Sequence, residues 1–354
     1  MNLRRGWWIL GIVAVAALLA AGPVVASDGY FSNADGDLTS SDLVTYTASG
    51  HGGPADPSPR TAGYCDTGVI GYLEYMYMGA KRDGLDVALV GTPVLGGAGA
   101  LSTVEAQLGR DSGFRIGLGY QFANCWDATW NYTYFYTDGA TLLTASVADP
   151  VTPTQIMGVG PGTSTYGDFA FASTLKYQVN DLEFGRWIRL DDSAAIRLFG
   201  GFRWAIIDQQ LAQTWTDAGS WGAVNTGASL GTINMDGYGL RLGSEGRLNL
   251  PSGISVFGKG AASVLSGHFQ YAVSEVNVDG FATTSTLVST EATTQAVPVL
   301  EAALGVAWTR NNLEVSLGYE LSAWFNMGNR YTPVGPVSND LLLDGLFVRA
   351  AYTR

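Results

Sequence analysis

Apolar and polar residues alternate at period two through ten stretches of this chain. The clearest cover residues 113–122 and 126–136. In the first, Phe114, Ile116, Leu118, Tyr120 and Phe122 share one phase, and Arg115, Gly117, Gly119 and Gln121 share the other. In the second, Trp126, Ala128, Trp130, Tyr132, Tyr134 and Tyr136 oppose Asp127, Thr129, Asn131 and Thr133. Successive side chains of a strand point to opposite faces, so each stretch predicts a two-faced ribbon. A soluble antiparallel sheet alternates in the same way, so the period alone does not name the solvent on the apolar side.

The other stretches predict strands at 69–78, 173–188, 254–271 and 341–352, with four more centred on Ile196–Ile206, Tyr238–Leu248, Leu300–Trp308 and Leu313–Leu321. In the 173–188 stretch, Tyr177 and Val179 hold one apolar phase, and Leu182, Phe184 and Ile188 hold the opposite one. That slip near Asn180-Asp181 predicts a β-bulge. Residues 85–90 add a strand or cap the first loop, so the count is ten with twelve allowed. Connections after the second, fourth, sixth and eighth strands are a few residues, and the rest are long and rich in Thr, Ser, Gly and Asp. Short turns on one rim and long loops on the other is the pattern of an outer-membrane barrel, whose backbone groups must all pair in lipid. The predicted fold is all-β: a closed antiparallel transmembrane β-barrel with short periplasmic turns and long extracellular loops.

Composition agrees. The chain of 354 residues carries 47 glycines, 17 tyrosines and 10 tryptophans, and only 14% of its residues are charged. Mean hydropathy is a mild +0.12, as expected where two faces average. The start reads as a signal peptide over 1–26: Arg4 and Arg5, an apolar run from Trp7 to Ala20, and small residues before Ser27. Residues 27–66 read as a mobile linker and 67–354 as the barrel. Cleavage after Ala26 removes two arginines and moves the formal charge from −12 to −14, which argues against nucleic acid as a partner.

The inward phase carries the candidate chemistry. Arg115, Arg197, Arg203, Arg241, Arg247, Lys259 and Arg349 face Glu74, Asp127, Asp181, Glu183, Glu245, Glu301, Glu314 and Glu320. Buried charges are costly unless paired or hydrated, so two readings stand. The charges line a hydrated lumen that passes ions or small solutes, or they form a salt-bridged filling of a non-conducting structural or adhesive barrel. Acids in the long connections (Asp149, Asp168, Asp217, Glu275, Asp279, Glu291) add negative charge near the mouth. Aromatics such as Trp126, Trp130, Tyr134, Tyr136, Trp204, Trp308 and Tyr352 suit interfacial girdles. Cys65 and Cys125 fall on the short-turn rim, where a disulfide is one of two open states. With His51 and His268 they have no metal-ligand spacing. His268, beside Ser266 near the loop end of its strand, shows no convergence of nucleophile, base and acid, so no enzyme activity and no cofactor are expected.

Several runs resemble a known family: D-S-G-F-R-I-G-L-G-Y-Q-F at 111–122, W-D-A-T-W-N-Y-T-Y-F at 126–135, Y-Q-V-N-D-L-E-F-G-R at 177–186, I-R-L-F-G-G-F-R-W-A at 196–205 and L-L-L-D-G-L-F-V-R-A-A-Y at 341–352. Together they are similar to the Legionella major outer membrane protein-like family of pore-forming barrels. The resemblance implies a porin-like or surface barrel in a bacterial outer membrane, with outer-membrane lipid, the barrel insertion machinery, and ions or small solutes as partners. Homo-oligomerisation is left open. No catalytic residues carry over.

Overall fold

The structure is a computed structural model. It describes residues 65, 67–82, 86–90, 102–105, 108–144, 151–153, 168–217, 225–278, 284–327, 329–332, 335–338 and 340–354. The expected signal peptide, the linker up to Tyr64, His51, Asp149 and Asp279 lie outside the described residues.

Among the described residues ten strands close into one antiparallel barrel. They are β1 (Gly68–Arg82), β2 (Arg110–Gln121), β3 (Trp126–Thr144), β4 (Asp168–Arg189), β5 (Ala194–Asp217), β6 (Asn225–Asn249), β7 (Ile254–Val278), β8 (Thr284–Arg310), β9 (Leu313–Trp324) and β10 (Leu341–Thr353). Each pairs with its neighbours in sequence, and β1 closes on β10 from Ile70↔Thr353 to Arg82↔Leu341. Phase decides which side each residue meets. Leucines and aromatics such as Leu73, Leu118, Phe184, Leu240, Leu242 and Leu304 are exposed on the outer wall, and their sequence neighbours face inward, buried or half-buried.

The four short turns share one rim. They include the short helical turns Ala123–Cys125 and Pro251–Gly253, and they place Asn124 (φ 65°) and Asn311 (φ 55°) in the left-handed region that asparagine tolerates. Next to them Asp191 accepts hydrogen bonds from the Ser193 amide (2.7 Å), the Ser193 hydroxyl (2.8 Å) and the Ala194 amide (2.6 Å).

Three expectations are corrected. β4 runs in unbroken register with β3 and β5, without a bulge at Asn180-Asp181. Tyr177 and Val179 are buried inside, in phase with Asp181 and Glu183. Their apolarity belongs to an interior layer, which the alternation cannot tell from lipid contact. Two predicted long loops are largely strand: β5–β6 and β7–β8 extend as tall hairpins with only 218–224 and 279–283 between them. Glu275, expected in a loop, is therefore a buried residue of β7. The alternative count of twelve fails because the strand at Asp86–Val90 leaves the wall. It pairs with Ser102–Glu105 and Val151–Pro153 in a separate sheet over the long-loop end.

The wall is uneven in height. β4 to β8 have 22 to 27 residues, whereas β9, β10, β1 and β2 have 12 to 15. On β5 the outward apolar residues from Ile196 to Ile206 span about 33 Å of strand at ~3.3 Å per residue. Tilted, that matches an apolar band of about 25 Å. β5 then continues to Asp217, so the tall side rises well past the lipid.

Candidate functional site

Adjacent strands bring opposite charges level inside the barrel. Glu74 is register partner to both Arg115 and Arg349. It accepts from both: Arg349 Nε lies 2.6 Å from Oε2, and Arg115 Nη1 bonds Oε1. Arg115 also reaches Glu320 (3.0 Å) and the Thr133 hydroxyl (2.9 Å). Asp181 and Arg203 are register partners on β4 and β5 and form a two-pronged pair at 2.6 and 2.7 Å. Arg203 continues to Glu301 at 3.0 Å, Arg241 joins Glu301 to Glu183, and Arg197 joins Glu183 (3.0 Å) to Asp127 (2.9 Å). Lys259 Nζ lies 3.4 Å from Glu183. Arg247 of β6 bonds Glu314 of β9 and lies 3.5 Å from Glu245.

The predicted lumen residues thus point inward and are spread along the strands, from Asp127, Arg197 and Arg247 nearer the short turns to Arg115, Arg203 and Arg241 deeper in the barrel. The arrangement is a lattice of ion pairs more than a lining. Arg203 to Glu301, Arg247 to Glu314 and Arg115 to Glu320 each join strands that are not neighbours, so the pairs cross the interior. Aromatic rings brace the lattice from within. The Phe199 ring lies under Arg197 (4.9 Å), Lys259 (4.9 Å) and Arg241 (5.8 Å), and Tyr72 under Arg349 (4.5 Å). Tyr72 donates to Asn131 Oδ1 at 2.6 Å.

Towards the long-loop rim the interior changes character, which the sequence reading missed. Met76, Phe135, Leu175, Ile207, Phe269, Val297, Trp324 and Leu341 are fully buried in one apolar cluster that crosses the barrel. Met327, just beyond β9, turns into it, and its carbonyl accepts from Gln209 of β5 at 3.5 Å. Leu108, just before β2, packs against the same cluster. A second apolar group, Phe169, Phe171, Leu211 and Trp215, sits higher against Val90 and Val104 of the small sheet. The only sequence signal was phase: Met76 and Met78 share that of Glu74, and Tyr177 that of Asp181.

Among the described residues the lumen is open towards the short-turn rim. A cavity of about 1830 Å³ reaches from the turns at Asp192, Ser252 and Asn311 up to Asp127, Glu183, Arg197 and Lys259. Beyond the ion pairs lies an inner cavity of about 60 Å³, walled by Arg115, Arg203, Glu301 and Glu320 on one side and Met78, Phe257 and Phe347 on the other. The interior formed by the described residues therefore reads, from the turns outward, as polar-lined vestibule, charged lattice and apolar seal.

Cys65 and Cys125 are bonded to each other at the short-turn rim, so the chain preceding β1 is tied to the turn before β3. His268 is not at the lumen rim. It points outward on β7, level with Asp236 and Thr294, and its Nδ1 lies 3.3 Å from the Thr294 hydroxyl. Trp204 donates to Asp236 at 2.7 Å in the same outward row. Trp126, Trp308 and Tyr352 are exposed near the short turns and Tyr136 and Trp204 higher on the wall, forming two aromatic levels.

Among solved structures, the Escherichia coli outer membrane protease OmpT covers 81% of this chain and 97% of its own, at 10% identity and a TM-score of 0.44. The Pseudomonas putida toluene transporter TodX covers 84% and 92% at 11% identity and 0.26. Ail, the attachment invasion locus protein of Yersinia pestis, covers 81% and 99% at 11% identity and 0.24. No curated protein matches the chain. The family described as the Legionella pneumophila major outer membrane protein precursor matches residues 74–353, nearly the whole barrel. The chain belongs to that Legionella major outer membrane protein family, and its place is the bacterial outer membrane.

Proposed function

We propose that the protein is a pore-forming barrel that is shut at rest and passes ions or small solutes when its apolar seal is wetted. The carrying observation is the vestibule of about 1830 Å³, which brings charge-lined open space from the short-turn rim to the middle of the lumen. A barrel serving only as a scaffold has no need of such a half-channel. The lattice of Arg115, Arg197, Arg203, Arg241, Arg247, Lys259 and Arg349 with Glu74, Asp127, Glu183, Glu245, Glu301, Glu314 and Glu320 then selects small polar solutes. The layer of Phe135, Phe347, Met76 and Trp324 above it is a constriction of the kind that gates by dewetting. The barrel insertion machinery is the expected assembly partner and lipid the surrounding one.

A second reading keeps the same site closed permanently, as a structural or adhesive surface barrel. It is favoured by the complete burial of Trp324, Phe135 and Val297, which leaves the seal without slack. Planar-bilayer recording decides between them. The pore reading expects long closures broken by small discrete steps, and longer openings in Phe347→Ser, which hydrates the seal. Silence from both folded proteins would establish the closed scaffold.

A further inference from the structure

Among the described residues the uneven wall leaves a strand edge bare. β8 pairs with β7 along its whole length, from Val278↔Thr284 to Ile254↔Trp308. On its other side β9 pairs only from Val299 downward. Phe325 adds one bond, its amide donating to the Pro298 carbonyl at 2.9 Å, and Asn326 exchanges side-chain contacts with Gln295 and Ala296. From Thr284 to Thr294 no strand among the described residues pairs with this side.

The direction of the free groups follows from that single bond. In a strand the N–H and C=O of one residue point the same way, and the direction alternates along the chain. Pro298 points toward β9, so Thr284, Thr286, Val288, Thr290, Ala292 and Thr294 point there too. Each carries an amide and a carbonyl on the bare side. Natural edge strands are blunted by lysine, proline, bulges or brevity. None of these protects this stretch: its register with β7 is unbroken and Glu291 is its sole charged residue. Val288 through Ala292 are exposed on both faces.

We infer that the upper edge of β8 is a docking site for an extended segment of another protein, added from the extracellular side as an extra strand. A second copy of this chain does not fit. Two barrels inserted the same way are related by an axis along the membrane normal, so strands tilted by about 35–45° would cross instead of lying alongside. The chemistry of the partner follows from the edge. Threonine and valine on the outer phase suit β-branched residues opposite them. Glu291 and the formal charge of −12 favour a neutral or basic segment.

Proline at an edge-facing position tests this, because Thr290→Pro removes a bare amide without touching the ladder to β7. The probe is a short blocked peptide of alternating threonine and valine flanked by lysines, with fluorescence anisotropy as the readout on the purified barrel. Binding is expected to weaken about tenfold or more in Thr290→Pro, a change of about 1.4 kcal/mol. A probe N-methylated on alternate amides is expected not to bind the unaltered protein, which keeps the test decisive if the proline variant misfolds. Absence of binding to the unaltered barrel, equal binding by the methylated probe, or equal binding by a folded Thr290→Pro overturns the inference. So does a dimer of the barrel that Thr290→Pro dissociates, which would make a second copy the occupant.

Discussion

At the scale of single residues, the interior is built on close approaches that only glycine permits. Gly243 lies opposite Phe199 on β5 and Ala261 on β7. A Cβ there would stand 2.3 Å from the Phe199 ring and 2.6 Å from the Gly260 carbonyl. The ring that braces Arg197, Arg241 and Lys259 is seated on that bare backbone. Gly243→Ala is expected to destabilise the barrel by about 1–3 kcal/mol, as overpacking does. Phe199→Leu in the same chain should recover only part, because the carbonyl clash remains; the urea dependence of the folded-barrel gel shift measures both. At the turn before β5, the Ser193 hydroxyl and amide and the Ala194 amide hold the exposed Asp191 carboxyl below its ordinary range. Its stabilising contribution is therefore complete above the ordinary carboxylate pKa and is lost only as pH falls through the lower folded value. A carboxyl-carbon NMR titration should place the Asp191 midpoint below that of free aspartate, and Ser193→Ala should move it back upward.

At the scale of elements, alternation was a sound guide to facing and a poor guide to extent. For β2, β3, β5 and β6 the apolar phase read from the sequence is the outer wall, because there the inward phase is visibly charged or small. In β4 the inward phase turns apolar at Val179 and Tyr177, and two apolar phases in one strand look like a bulge. The upper halves of β5, β6 and β8, and the last residues of β7, escaped notice for the converse reason. Above the lipid the outer face is polar, as at Asp208, Gln210 and Thr214, so the alternation inverts and reads as loop. The charged part of the candidate site was legible because arginine and glutamate on a strand have few reasons to be there. The seal was not, since apolar residues facing each other across a lumen are not distinguished from apolar residues facing lipid. The disulfide makes a prediction at this scale. It bridges residues 60 apart and ties the entry of β1 to that of β3. Cys125→Ser is expected to lower stability by about 2–4 kcal/mol. Non-reducing peptide mapping of the unaltered protein should recover the two cysteines as one linked peptide, and two free thiols would remove the bond from the account.

At the scale of the whole molecule, the three interior zones do different work. The charged lattice costs desolvation and returns it through pairing, so removing one partner strands the other. Arg203→Met leaves Asp181 and Glu301 short of a cation and is expected to cost about 3–5 kcal/mol, read from thermal unfolding in detergent micelles. The apolar seal contributes through burial, and Trp324→Ala should cost a similar amount, about 3–5 kcal/mol. The two variants part company in the bilayer. Emptying the seal joins the inner cavity to the long-loop side and should raise conductance. Breaking the lattice alone leaves the seal in place and should not.

The height of the wall bears on how the cylinder is completed. β1 meets β10 over 13 register pairs, while β7 meets β8 over 25. The joint between the first and last strands therefore lies in the lowest part of the fence. Assembly can raise the tall hairpins early, as local pairings with little chain entropy to overcome. The long-range closure that comes last needs only about half as many rungs. A folding intermediate of this barrel would accordingly be a curled, nearly finished sheet, with its unzipped gap next to the strands that carry Glu74 and Arg349.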